Sequence, residues 1–165
     1  DAALQIAREN SIDPKEIEKI RIGVYKLALT GHDHTDVKTT KSAMMSIPYG
    51  AVVSLVKKDA GLPQFDENVV LSPDIQYLLQ KVEIEEDAEL TSLLPDIRGS
   101  KVEIVANGKN YNSRVDYSLG EPENPMSDSD IIEKFKGLAA FAEIDKDPAS
   151  MIVEKVFNGE VVLKF

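Results

Sequence analysis

The residues with chemistry to offer begin at Tyr49, in the stretch KSAMMSIPYGAVVSLV (Lys41 to Val56). Ser46-Ile47-Pro48 leads into an apolar run, and Tyr49 stands where a helix would begin. A phenol there can reach outward while the rest of the helix is buried. A helix N-terminus adds free N–H groups and a partial positive charge that suit an anionic ligand. A second candidate is His32-x-His34 beside Asp33 and Asp36. Side chains at i and i+2 share a face in a strand, a usable spacing for zinc or iron. The pair falls in a polar stretch, GHDHTD, that reads as a loop, and no third ligand can be named, so exposed loop histidines are expected and no metal is assigned. The third candidate, Glu83, Glu85, Glu86 and Asp87, could divide acid and base roles. Without apolar shielding it reads as a solvated strand edge, whose charge discourages sheet-to-sheet pairing.

Other chemistries are excluded by what the chain lacks. It has no cysteine, which removes disulfides, thiolate nucleophiles and thiolate metal sites. No glycines fall in a GxGxxG or GxxxxGK phosphate cradle, and no serine sits in GxSxG. With 29 acidic and 19 basic residues the formal charge is −10, which disfavours nucleic acid and anionic membranes as partners. No run approaches the roughly 18 apolar residues of a membrane span.

The elements that must position these residues follow from periodicity. Ala2, Ala3, Ile6 and Ala7 are spaced for a helix that stops at Asn10-Ser11. Lys19 to Leu27 alternates, with Ile20, Ile22 and Val24 on one face of a strand. Thr30 to Thr40 reads as a loop, Met44-Met45 as core filler, and Tyr49 to Lys58 as an apolar helix with Gly61 as its C-cap. Leu62 to Val70 reads as a loop with a possible helical turn. Ser72-Pro73-Asp74 starts a short helix, with Ser72 as N-cap and Pro73 at the first helical position.

Val82 to Glu85 is a strand. Lys101 to Ala106 and Lys109 to Tyr117 form a hairpin about Asn107-Gly108, where both turn residues need φ > 0. Gly120 to Pro125 is a rigid turn. Ser127 to Asp130 caps a long helix with an apolar stripe of Ile131, Ile132, Phe135, Leu138, Ala139 and Ala142. Asp147 to Phe157 reads as helical and Val161 to Phe165 as a β-like tail. Strands and helices do not alternate strictly, so the expected fold is α+β: a two-layer sandwich, mostly antiparallel, with helices on one face, in one domain over residues 1–165.

Two stretches together carry a resemblance. SIPYGAVVSLV is similar to the Phe-Ser-Leu-Pro-Tyr-Ala-Val-Ala-x-Ala-Leu segment of the MmgE/PrpD family, with Met45 where phenylalanine is usual. GEPENPMSDSDIIEKFKGLA resembles its Gly-x-Pro-x-Asn-Pro-x-Ser-x-x-Glu-x-x-x-Lys-Phe segment, with Asp130 for the usual glutamate and Lys134-Phe135 matching directly. The resemblance covers Asp1 to Ala142.

The family includes 2-methylcitrate dehydratase, cis-aconitate decarboxylase and iminodisuccinate epimerase. The resemblance implies a two-domain, cofactor-independent lyase or isomerase of small di- or tricarboxylates, cytoplasmic and homodimeric. In it an N-terminal helical domain carries most catalytic residues and a C-terminal α+β lid closes over the substrate. This chain corresponds to the lid. Asp1-Ala2 resemble the end of a family segment His-Pro-x-Ile-Asp-Ala, whose histidine would precede Asp1. Of the residues present, the resemblance turns Tyr49 toward the cleft, as the one catalytic candidate. The chain alone is expected to be inactive. The alternative expectation is a stand-alone acidic α+β module that binds a ligand or a protein without catalysis.

Overall fold

A computed structural model describes residues 1–159. The β-like tail expected at Val161 to Phe165 lies outside the described residues. The chain divides into two compact units, residues 1–124 and residues from 125 onward.

The first unit opens with helix α1 (Ala2–Glu9), whose Ala2, Ala3, Ile6 and Ala7 are all buried. Strand β1 (Ile17–Val24) follows, with Ile20, Ile22 and Val24 inward as the alternation requires. The chain then makes a helical excursion: α2 (Lys26–Leu29), α3 (Thr40–Met44), α4 (Ile47–Lys57), α5 (Glu67–Val70) and α6 (Pro73–Leu79). It returns as β2 (Val82–Glu86), then α7 (Ala88–Ser92) and the hairpin β3 (Ser100–Ala106) and β4 (Lys109–Val115).

The four strands lie in the order β2-β1-β3-β4. β1 is antiparallel to β3, and β3 to β4 across Asn107-Gly108, whose φ values of 52° and 65° are those the turn demands. The β1–β2 pair is parallel, with Ile20 opposite Val82 and Ile22 opposite Ile84. The sheet is therefore mixed, with two of its three pairings antiparallel. The fold is α+β.

Burial is one-sided. Ile20, Ile22, Val102 and Ile104 meet Ile6 of α1, Val52 and Leu55 of α4, and Ile75 and Leu78 of α6 in one apolar core. Each such side chain contributes about 1.5–3 kcal/mol when fully buried. The opposite face carries Lys19, Arg21, Glu83, Glu85, Lys101, Glu103 and Arg114, most of them joined in exposed ion pairs.

Two local expectations change. Helix α4 ends at Lys58, which takes the left-handed conformation (φ 53°), so Gly61 is not its C-cap. Asp59 Oδ1 accepts from the Ala60 N–H just past this bend. Met44 and Met45 are not core filler, for they are 56% and 52% exposed, and α3 turns Ala43 inward instead.

The second unit contains α8 (Asp128–Phe141) and α9 (Lys146–Phe157), which pack on each other. Ser127 and Asp130 form the expected reciprocal cap at the start of α8. Of the apolar stripe on α8 only Ala139 is buried; Ile131 and Leu138 stay largely exposed. Among the described residues no helix is long and apolar enough to cross a membrane.

Candidate functional site

Tyr49 is set in place by the way α4 begins. Ser46 is the N-cap: its Oγ accepts from the Tyr49 N–H at 3.1 Å and donates to the His34 carbonyl at 2.7 Å. Pro48, in the first turn, has no N–H that would need a partner. The loop that precedes α3 braces the same junction. The Ile47 N–H donates to the His32 carbonyl at 2.9 Å. His32 Nδ1 lies 2.9 Å from the Met45 carbonyl, and His34 Nε2 lies 3.2 Å from the Ser42 carbonyl and 3.0 Å from its Oγ. A carbonyl only accepts, so the His32 Nδ1 nitrogen is the donor in its contact. The two histidines thus bind the segment before Tyr49. Among the described residues no group of three or more His, Asp or Glu side chains is placed to hold a metal ion.

The Tyr49 side chain points inward, not outward. It is fully buried, its ring lies against Phe65 at 5.4 Å between centroids, and its hydroxyl donates to the Gln64 carbonyl at 2.5 Å. Burial pushes the phenol from its ordinary 10.0 up to about 12. At neutral pH it is therefore a neutral O–H, a donor in hydrogen bonds and not a base. Gln64 and Phe65 belong to a short turn, Leu62–Phe65, which is also tied to α3 by the Thr40 hydroxyl donating to the Phe65 carbonyl at 2.8 Å. Nothing in the sequence points to this turn as the partner of Tyr49. Ser46, three residues before Tyr49 and beside Pro48, does carry a readable capping signal.

The second motif stretch is ordered by its own polar groups. Asn124 Nδ2 donates to the Tyr117 carbonyl at 2.9 Å, and the Gly120 N–H donates to the Asn124 carbonyl at 2.8 Å. Gly120 sits at φ 104°, a conformation that favours glycine. The Leu119 N–H donates to the Asp1 carboxylate at 2.8 Å, which fastens this turn to the start of α1.

An open concavity of about 380 Å³ lies on the exposed sheet face. Its lining includes Gly23, with no side chain, and the charged Arg21, Glu85, Asp87, Lys101 and Arg114. The cations there are already paired: Arg21 with Glu103 at 2.5 Å, Lys101 with Asp87 at 2.8 Å and Glu89 at 2.6 Å, and Arg114 with Glu89 at 2.5 Å and Asp116 at 2.7 Å. The ammonium of Lys101, and next the Leu90 N–H, hold the Asp87 carboxyl below its usual range. The acidic cluster is therefore a solvated sheet edge for Glu83, which pairs with Lys19 at 2.6 Å, and a helix cap for Asp87. A second concavity, about 250 Å³, is lined by Lys15, Val56, Asp74 and Tyr77 among others. Tyr49 lines neither.

A comparison with curated proteins returned no match. A comparison with protein families matched the MmgE/PrpD C-terminal domain over residues 1–158, nearly the whole chain. The chain therefore belongs to the MmgE/PrpD family, as its C-terminal domain.

Proposed function

We propose that this chain is the substrate lid of a cytoplasmic, homodimeric, cofactor-independent lyase or isomerase of the 2-methylcitrate dehydratase type, acting on small di- or tricarboxylates. The family match over residues 1–158 carries the reading. An N-terminal helical domain supplies the group that removes a proton α to a carboxylate, and the lid supplies Tyr49. A phenol held neutral suits the second half of such a reaction. It donates a hydrogen bond to the carboxylate as charge builds on it, or a proton to the departing hydroxyl, which leaves as water. The cations of the exposed sheet face take no part in this reading, because Arg21, Lys101 and Arg114 are already paired with their own carboxylates.

Two measurements test the reading. The 165-residue chain, incubated with 2-methylcitrate, is expected to give no turnover; turnover would overturn the division of labour. In the two-domain enzyme, Tyr49→Phe is expected to lower kcat by roughly 10²–10⁴, the range typical of a lost acid–base group. An unchanged kcat with the fold intact would make Tyr49 structural only.

A further inference from the structure

The Tyr49 hydroxyl is covered by one short turn, Leu62–Phe65. Among the described residues two side-chain hydrogen bonds fasten it, from the Tyr49 hydroxyl to the Gln64 carbonyl and from the Thr40 hydroxyl to the Phe65 carbonyl, and the half-buried Phe65 ring packs on Tyr49. The turn belongs to no sheet, Leu62 is 39% exposed, and the approach to it runs through left-handed Lys58 and through Gly61.

The closed turn also contains a fault. Gln64 Oε1 is buried without a hydrogen-bond partner among the described residues. It is pressed toward Gly61, where a Cβ would come within 3.3 Å of it. A buried acceptor with no donor bears the full loss of its hydration. That penalty exists only while the turn is closed, so opening, which wets the carboxamide, is partly offset in advance.

We propose that Leu62–Phe65 is a releasable latch on Tyr49, with Gln64 as its positioning residue. Closed, the Gln64 main-chain carbonyl engages the phenol. Open, the phenol O–H is free to donate to a carboxylate, a charged acceptor that makes a stronger hydrogen bond than a neutral carbonyl. A carboxylate ligand therefore competes directly with Gln64 for the same proton and draws the latch open. The identity of the ligand rests on the lid reading above, whereas the motion belongs to this chain and is measured on it alone.

The test is hydrogen–deuterium exchange on the 165-residue chain, together with nitration of tyrosine by tetranitromethane, located by peptide mapping. Amides of residues 61–66 are expected to exchange well before those of residues 51–57 in α4. Gln64→Met keeps the side chain's length and removes the orphaned acceptor. It is expected to slow exchange at 61–66, and nitration of Tyr49, by roughly tenfold, while exposed Tyr77 is nitrated as before. Thr40→Val removes the other fastening and is expected to speed both; it carries the test alone if Gln64→Met does not fold. Exchange at 61–66 as slow as in α4, or no slowing in Gln64→Met, or no acceleration in Thr40→Val, would overturn the latch. A latch that stays shut leaves the lid reading standing, since the family match over residues 1–158 carries it, and an unchanged kcat leaves the exchange result standing, so the two failures are distinguishable.

Discussion

Replacing Tyr49 by phenylalanine removes one oxygen and keeps the ring against Phe65, so its effect on stability can be worked out term by term. At neutral pH the loss is the hydrogen bond to the Gln64 carbonyl, about 1 kcal/mol net. A second term depends on pH. Burial raises the folded phenol from 10.0 to about 12, which means that the fold favours the neutral form. Below pH 10 this contribution is fully present, and it is lost as the pH rises through 10 toward 12, because the unfolded chain gives up the proton first. The wild type thereby loses about 1 kcal/mol by pH 11 and about 2 kcal/mol by pH 12, whereas the phenylalanine variant has no phenol to ionise. Deprotonation of lysines affects both proteins alike and cancels in the difference. Urea unfolding followed by circular dichroism at 222 nm, at several pH values between 8 and 11.5, reads the difference directly. Wild type is expected to be the more stable protein up to pH 10, equal to the variant near pH 11, and the less stable above it. A gap that stays constant across this range would show that the buried phenol does not titrate as its surroundings require.

Two other perturbations follow from the same geometry. Ser46→Ala removes the α4 cap and the tie to the His34 carbonyl, and should cost about 1–2 kcal/mol, read by calorimetry; an unchanged melting temperature would show that the cap is dispensable. Lys101→Met removes the ammonium that holds the Asp87 carboxyl low. The stabilisation from a lowered carboxyl is present above its unfolded value and is lost as the pH falls through the folded one, so the variant's acid unfolding, followed by circular dichroism, should begin at a higher pH than wild type's.

How far the fold could be read in advance differs from element to element. The hairpin was legible because Asn107-Gly108 is a local signal whose φ values have few other solutions. The reciprocal cap of Ser127 and Asp130 was legible for the same reason. The parallel β1–β2 pairing was not, since alternation shows which face of a strand is buried but not which strand lies beside it, and 57 residues separate Val24 from Val82. The end of α4 was misplaced because glycine is the usual left-handed residue, and here Lys58 takes that conformation. Tyr49 stands out in its stretch by residue type, but an outward-reaching phenol is not what the structure has. Its inward direction could not be read, because the group that decides it is a main-chain carbonyl fifteen residues away, and main-chain carbonyls leave no mark in a sequence.

That 57-residue excursion between the parallel strands has a kinetic consequence. Everything that handles Tyr49, from His32 through Ser46 to Gln64, lies inside it, between two strands that end up side by side. Closing a loop of that length costs about 3–4 kcal/mol of chain entropy before β2 gains any contact with β1. The β3–β4 hairpin, closed by two residues, bears almost none of this cost and can form early. Docking of β2 must wait until the helices of the excursion have collapsed enough to bring its ends together. A defect in the Tyr49 segment should therefore slow assembly of the sheet, even though Tyr49 itself belongs to no strand.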